Sequence, residues 1–468
     1  MDIFSALQTA VSGLKAQSYA IGNISGNIAN SQTTGYRRID TSFVDLIAEQ
    51  TPRREVAGTV LAQAQLTNTI AGNITGTKVP TNMAISGDGF FVVQRRTGDA
   101  NGQSAFSSTN LYTRRGDFSL DKDGYLVNGA GGYLQGQNID AATGQAGSTG
   151  AIRIGNTTLP AKKTTSITYA ANLPATPTTT ASATSKSSLY APTGGAGLVM
   201  SGTATPPPKI AAADASTFVA NSISGPTLTA YTESGAPVTV TTRWAKLQDA
   251  KAADPAATPP TVAQDAVWNL FYAADPSVAA DKTSWTNAGS AFTFDNAGQL
   301  KTPASGSAVI SGLTVGGTTV GDVSFDFGKT GLTQYAAASG AVTTNAQSQN
   351  GYAAGTLNDI SVTAEGQVVG SFSNGSVMAL ANVGIARFVN PDGLKPDSNG
   401  NYEQTVDSGT PLSGLNGGSL IGASIEQSNT DIADEFSKMI VTQQAYSANT
   451  KVMSTAQQMM SDLLNVIR

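Results

Sequence analysis

The side chains able to do chemistry are few, and their spacing argues against a catalytic site. Histidine and cysteine are both absent from the 468 residues. That removes the usual general base near neutral pH, the commonest metal ligand, every thiolate site and any Ser-His-Asp arrangement. A carboxylate pair of the glycosidase kind stays formally open, yet no two carboxylates stand out as partners. Asp121-Lys122-Asp123-Gly124 opens like a calcium loop but lacks the later ligands and the closing Glu, so a hairpin turn is the better reading. Gly129, Gly131, Gly132 and Gly136 precede neither a helix start nor a Lys-Ser/Thr pair, and so do not form a phosphate cradle. The pairs Arg37-Arg38 and Arg114-Arg115 have the charge to hold a phosphate, but read more simply as solvated or interface charges. The expectation is a protein that is no enzyme, with no cofactor and no metal.

What the residues do spell out is assembly. Leu7, Leu14, Ile21 and Ile28 fall one heptad apart near the N-terminus. Ile432, Met439, Tyr446, Met453, Met460 and Ile467 do the same at the other end. A seven-residue apolar repeat keeps one helix face turned toward a partner, because two turns at about 3.5 residues return to the same side. Residues 1–30 are thus expected as one helix, weakened by Gly13, Gly22 and Gly26 at about 1 kcal/mol each relative to Ala. From Ile432 to Ile467 a second helix would extend about 54 Å at about 1.5 Å per residue. Ser428, Asn429 and Thr430 offer it N-caps, and Asp431, Asp434 and Glu435 sit in its first turns, where carboxylates favour the helix dipole. The companion positions Phe436, Gln443, Thr450, Gln457 and Leu464 are polar in the middle. That suits a tube of helices, with one flank on neighbours and another on a hydrated channel. Neither helix has a globular core of its own. The two termini are expected to meet, and other copies of the chain to cover what they leave apolar.

The rest of the chain has another character. Charged residues make up 13%, against roughly 25% in typical soluble domains, and 50 Gly and 19 Pro accompany abundant Ala, Thr, Ser and Asn. Such residues suit β-structure with tight turns. A net charge of −5 with no dense basic patch gives no support to nucleic-acid binding. No stretch approaches the roughly 18–20 uninterrupted apolar residues of a membrane span, and no cleaved Sec signal is visible, so no membrane insertion is expected. Strand-like runs such as Gly89-Phe90-Phe91-Val92-Val93 and Trp268-Asn269-Leu270-Phe271-Tyr272 alternate with turn pairs. The expected fold is mixed and mainly β, with coiled-coil-like paired terminal α-helices, a split β domain and an inserted outer all-β domain. In residue numbers, 1–30 with 426–468 form the helical core, 31–78 an irregular connection, 79–175 with 351–425 the inner β domain, and 176–350 the insertion, as one domain or two.

Several motifs resemble, in order, those of the rod-and-hook axial proteins of the bacterial flagellum. At the N-terminus these are Ser12-Gly13-Leu14-Lys15-Ala16-Gln17, Asn27-Ile28-Ala29-Asn30 and Thr34-Gly35-Tyr36-Arg37. Met83-Ala84-Ile85-Ser86-Gly87-Asp88-Gly89-Phe90-Phe91 and Tyr112-Thr113-Arg114-Arg115-Gly116-Asp117-Phe118 match the shared β-domain motifs. Near the C-terminus, Gly422-Ala423-Ser424-Ile425-Glu426-Gln427-Ser428-Asn429 leads into Glu435-Phe436, Met439-Ile440 and Ala445-Tyr446-Ser447-Ala448-Asn449. The large insertion is similar to that of hook-type rather than rod-type members. The resemblance implies a tubular homopolymer outside the cell, a flexible universal joint that passes torque from rod to filament. It implies export through the flagellar type III apparatus, which would dispense with a Sec signal. The implied partners are copies of the chain itself, the distal rod, the hook cap and the hook–filament junction proteins. Asn30, Gly35, Tyr36 and Phe436 join the heptad positions as implied assembly residues. Two departures stand out: Gln444 replaces the usual Arg, and Arg37 the usual Lys, the second expected to be nearly neutral.

Two other readings compete. One is a distal rod-type subunit. The other, from a different class, is an extracellular adhesin or glycan-binding protein using Trp244, Trp268 and Trp285 as an exposed aromatic platform, although core packing is the plainer use of each.

Overall fold

The structure, a computed structural model, describes residues 3–46, 59–100, 103–155, 158–185, 189–192, 195, 197–257, 259–397 and 399–466. The chain divides into two compact units, Met1–Thr157 with Leu357–Arg468, and Thr158–Thr356 inserted between them.

In the first unit, the N-terminal helix Ile3–Ala29 and the C-terminal helix Ile432–Val466 pack together. Asn27 stands beside Glu435 and Gly13 beside Asn449, the same step along both helices, so the pair is antiparallel. Small residues make the contact. Ala10, Ala16, Ala20 and Ile24 are buried on the first helix and Ala456 on the second. At the crossing nearest Asn449, a Cβ on Gly13 would lie 2.8 Å from the Asn449 amide nitrogen, which explains a glycine inside a helix. The cap of the second helix is not one of the three residues expected. Asp431 Oδ1 accepts from the amides of Ala433 at 2.8 Å and Asp434 at 3.3 Å. Asn429 is engaged elsewhere, accepting from the Arg38 amide at 2.7 Å and donating to the Ile70 carbonyl at 3.0 Å.

The stretch 31–78, expected to be irregular, holds an antiparallel hairpin of Ile39–Leu46 with Thr59–Leu66, laid against the N-terminal helix. Its period-2 signal is present in Val60, Ala62, Ala64 and Leu66, but small and polar residues dilute it.

Strands from both sides of the insertion interleave in one sheet. Phe90–Ala100 pairs with Leu111–Thr113 and Gly132–Ile139 from the N-terminal half, and with Ile385–Arg387 from the C-terminal half. Gly132–Ile139 also pairs with Val377–Val383. Further crossings join Met83–Ser86 to Ser419–Gly422 and Ile74–Gly76 to Ser424–Glu426. Phe90, Tyr112, Phe388 and Tyr402 form an edge-to-face aromatic cluster between the two halves. Asp121-Lys122-Asp123-Gly124 is a hairpin turn, with Asp121 Oδ1 accepting from the amides of Asp123 and Tyr125.

The second unit is all-β apart from short helical turns. A six-stranded sheet built around Pro237–Gln248, Ala266–Ala273 and Trp285–Phe294 shares a core with a five-stranded sheet built around Ser166–Asn172, Ser307–Val315 and Thr318–Asp326. Trp244 and Trp268 lie in that core. The opposite face of the six-stranded sheet is covered by Tyr190, Val199 and the short helix Ala215–Ala220, over Ile210, Phe271 and Trp285. Every residue of Ala266–Ala273 is buried, as a strand covered on both faces requires.

Candidate assembly surfaces

Where the helices enter the β layer, charged residues are buried together. Arg37 and Glu426 are each 1% exposed at the side chain and lie 2.7 Å apart, too oblique for a hydrogen bond, so the contact is chiefly electrostatic. The other Arg37 Nη donates to the Ile70 carbonyl at 2.6 Å. Glu426 also accepts from the Gly72 amide at 2.8 Å and faces Arg114 Nη1 at 3.5 Å. Arg114 donates to the carbonyls of Ile85 and Gly87, and stacks over the Phe90 ring. Burial pulls its pKa down to about 10, with the neighbouring Arg37 charge adding to the effect and Glu426 opposing it. Two guanidiniums thus straddle one carboxylate, tying residues 37 and 114 to the strand that leads into the C-terminal helix. Arg37 presents its two Nη atoms to two different acceptors from a planar fork, a geometry that a lysine ammonium does not offer. The other members of the two arginine pairs are also engaged, Arg38 with Asp40 and Arg115 bidentately with Asp117.

A second polar node lies between the helices. Asn27 Nδ2 donates to Glu435 Oε2 and to the Ile39 carbonyl, both at 3.0 Å. Asn27 Oδ1 accepts from the Ile39 amide at 2.9 Å and the Tyr36 hydroxyl at 3.1 Å. Glu435, fully buried, also meets Lys438 Nζ at 2.9 Å, and Lys438 reaches Asp40 at 3.0 Å. Burial works against the Lys438 ammonium, but Glu435 and Asp40 outweigh it and hold its pKa above the ordinary lysine value. Tyr36 is pushed up as well, by burial first and by the Glu435 charge second.

The expected assembly residues divide around this framework. Leu7, Leu14, Ile21 and Ile28 are half-buried on the N-terminal helix, as are Met439, Met453 and Met460 on the C-terminal one. Asn30 closes the first helix, donating to the Gly26 carbonyl at 2.9 Å and accepting from the Thr33 hydroxyl at 3.1 Å. Gly35 turns the chain at φ +67°, and its amide donates to the Glu426 carbonyl at 2.7 Å. Tyr36 points back to Asn27. Ile432, Phe436 and Tyr446 are exposed. Ile467 lies outside the described residues.

Of the exposed apolar positions on the C-terminal helix, the sequence reading names Phe436 but leaves out Ile440, Val441, Val452, Met459 and Leu463. Phe436 and Ile440 are 50% and 56% exposed on one side of the face turned to the N-terminal helix. Val441, Val452, Met459 and Leu463 form a second exposed row on the other side, 65%, 50%, 48% and 49% exposed, at spacings that return to one flank of a 3.6-residue helix. A count at 3.6 rather than 3.5 residues per turn would have found this second row. Gln444 is exposed too.

The aromatic platform of the glycan-binding reading does not form: Trp244, Trp268 and Trp285 are all fully buried in the second unit. They are core residues. No group of three or more acidic side chains that could hold a metal ion occurs among the described residues, and no described helix is long and apolar enough to cross a membrane.

Comparison with known proteins agrees with the motifs in place and in order. Residues 7–37 match the family model "Flagella basal body rod protein" and residues 84–172 the model "Flagellar hook protein FlgE/F/G D1 domain". Residues 200–352 match "Flagellar basal body protein FlaE D2 domain", and 422–466 "Flagellar basal body rod FlgEFG protein C-terminal". The chain is 28% identical over 475 residues to the flagellar hook protein FlgE of Brucella abortus, covering all of both chains. It is 29% identical over 473 residues to that of Salmonella typhimurium, covering 98% of each. A crystal structure of the Helicobacter pylori flagellar hook protein FlgE2 aligns with 74% of this chain and 98% of its own, at 16% identity and a TM-score of 0.49. End-to-end likeness, four models in chain order and a hook-type insertion together settle the family: this chain belongs to the flagellar hook proteins.

Proposed function

We propose that this structural subunit of the flagellar hook polymerises through the exposed apolar flanks of its C-terminal helix, each flank meeting a different neighbouring copy. The observation that carries the reading is the pair of exposed rows, Phe436 with Ile440 and Val441 with Val452, Met459 and Leu463. A lone subunit gains nothing by exposing them. Fully burying a side chain of this size stabilises by roughly 1.5–3 kcal/mol, so contacts repeated on both flanks, with several neighbours at once, together offset the freedom lost on docking. Leu7, Leu14, Ile21, Ile28, Met439, Met453 and Met460 support the helix pair from within or at its rim, while Ile432, Phe436 and Tyr446 face outward. Asn30, Gly35 and Tyr36 hold the turn that sets the pair against the β layer.

In this reading the polymer is a tube outside the cell that acts as a universal joint between rod and filament. The helices line its inner wall. Export runs through the flagellar type III apparatus, and the distal rod, hook cap and hook–filament junction proteins meet the two ends of the tube. The division into terminal helices, a split inner β domain and an insertion is the layout such a joint uses. The low density of charge on the chain suits sliding between neighbours, since weak polar contacts exchange at little cost.

The test is Phe436→Asp and Val452→Asp, one on each flank, examined by electron microscopy under polymerising conditions. Both variants are expected to keep the parent's circular dichroism spectrum and to form no tubes. Tubes of parent length from either variant would remove that flank from the interface. Met453→Asp is a contrast: half-buried against the N-terminal helix, it is expected to reduce helicity as well.

A further inference from the structure

We infer that the buried Asn27–Glu435 pair is a register pin, a positioning device that holds the two terminal helices at one longitudinal offset. The helix pair buries Ala10, Ala16 and Ala20 on the first helix and Ala456 on the second, with Gly13 at the close approach to Asn449 and the methionines Met439, Met453 and Met460 half-buried. Alanines and flexible methionines fit several offsets more readily than branched knobs do. Coiled-coil register comes from large knobs in fitted holes, or from a single polar residue that must find its mate. Here a slide of one turn, about 5.4 Å, brings Gly13 from Asn449 to Ala445 or to the flexible Met453, neither of which fixes an offset.

The polar node behaves differently. All of the Asn27 carboxamide is used: Nδ2 by Glu435 and the Ile39 carbonyl, Oδ1 by the Ile39 amide and the Tyr36 hydroxyl. Glu435 is fully buried, and its two oxygens are divided between Asn27 and Lys438. Lys438 also reaches Asp40, and Asn23 Nδ2 donates to the Thr41 hydroxyl at 2.9 Å. The node therefore ties three elements at one level: the first helix, the strand Ile39–Leu46 and the C-terminal helix. One turn of slip in either direction takes Glu435 out of reach of Asn27 and strands a buried carboxylate. Fully satisfied buried networks of this kind specify one arrangement because partial satisfaction is costly. The pair lies near one end of the helix contact, where an error in offset is carried undiminished along both helices.

The consequence for assembly rests on the interface reading above: the offset fixes the height at which the two apolar rows of the C-terminal helix meet neighbouring copies. The pin itself does not depend on that reading and is read out within one chain. The chain has no cysteine, so introduced pairs report cleanly. Gly13→Cys with Asn449→Cys reports the native offset, since these residues touch. Gly13→Cys with Ala445→Cys, and Gly13→Cys with Met453→Cys, report slips of about one turn each way, both carrying Asn449→Ala to clear the space. Each is made in the full chain and oxidised in dilute monomer and in polymer. Only the intramolecular product, which keeps monomer mass on a denaturing gel, is scored.

With the pin intact, the native pair is expected to close at least about tenfold faster than either displaced pair. In the Asn27→Ala and Glu435→Leu backgrounds the three rates are expected to converge to within about twofold, while Glu435→Gln, which still accepts from Asn27, keeps the native preference. Asn27→Ala adds no bulk and decides the matter if Glu435→Leu does not fold. An unchanged preference in Asn27→Ala overturns the inference, as does loss of preference in Glu435→Gln. Converged rates in a variant that still polymerises normally would leave the pin standing and count against the flank interface instead.

Discussion

At the scale of single residues, the unusual feature is how much charge this lightly charged chain buries. Arg37, Arg114, Glu426 and Glu435 are all nearly or wholly out of solvent. Each lies where a segment from one end of the sequence must be held to a segment from the other. Removing one member of such a group costs more than the group contributes, because the remaining charge is left without a counter-ion in a low-dielectric site. Glu426→Gln leaves two buried guanidiniums without their shared carboxylate, and is expected to destabilise the first unit by about 3–5 kcal/mol. The measurement is urea unfolding followed by far-ultraviolet circular dichroism, which reports the two long helices. Tryptophan fluorescence, which arises wholly in the second unit, should keep its parent midpoint.

At the scale of elements, the terminal helices are caught between two requirements. Their small-residue seam lets the backbones approach and leaves the larger apolar side chains at the rim. The N-terminal helix carries three glycines, each costing about 1 kcal/mol relative to Ala, and helices whose larger apolar side chains sit at the rim gain little from tertiary packing. Opening of this pair in the monomer should therefore be frequent. Amide exchange is expected to be fast along both terminal helices in dilute monomer, apart from the segment around Asn27 and Glu435, and to slow markedly in the polymer. Equal protection in monomer and polymer would show that neighbours add nothing to helix stability. The hairpin Ile39–Leu46 with Thr59–Leu66 shares this dependence, since a two-stranded ribbon is marginal without a surface to lie on.

At the scale of the whole molecule, stability against pH should be flat near neutrality and fall in alkali. Neither histidine nor cysteine is present, so no side chain has an ordinary pKa between about 5 and 8. Above that range the tyrosines decide. Burial raises Tyr36, Tyr112 and Tyr402 in the first unit, and Tyr169, Tyr190 and Tyr272 in the second, with Tyr190 pushed up to about 12. A raised folded pKa means that, above pH 10, the folded chain holds protons the unfolded chain has released. The stabilisation is whole below pH 10 and is lost as pH climbs through the folded values. Arg114 and Arg243, lowered by burial, act in the opposite sense but are outnumbered in both units. Thermal midpoints of both units are expected to be level from pH 6 to about 8 and to drop from about pH 10 upward, checked by circular dichroism and tryptophan fluorescence on the same samples. A rise in midpoint above pH 10 would contradict the burial of these hydroxyls.

Much of this was legible in the residues themselves. The heptads at both ends and the strand-like runs were enough to indicate a helical pair and a mainly β interior, because composition and periodicity are local properties, and the resemblance of the ordered motifs pointed to a hook-type subunit. The turn at Asp121-Lys122-Asp123-Gly124 was legible for the same reason. The hairpin at Ile39–Leu46 was not, since its alternation is diluted by small and polar residues. What only the tertiary structure decided is who meets whom. Asn27 finds Glu435 across 408 positions of sequence, and Arg114 finds Glu426 across 312. The tryptophans offered for ligand binding turn inward, and Asp431 takes the cap because Asn429 is held elsewhere. Pairings of that range are set by loop closure and by the balance of burial against unpaired charge, and no local pattern encodes either.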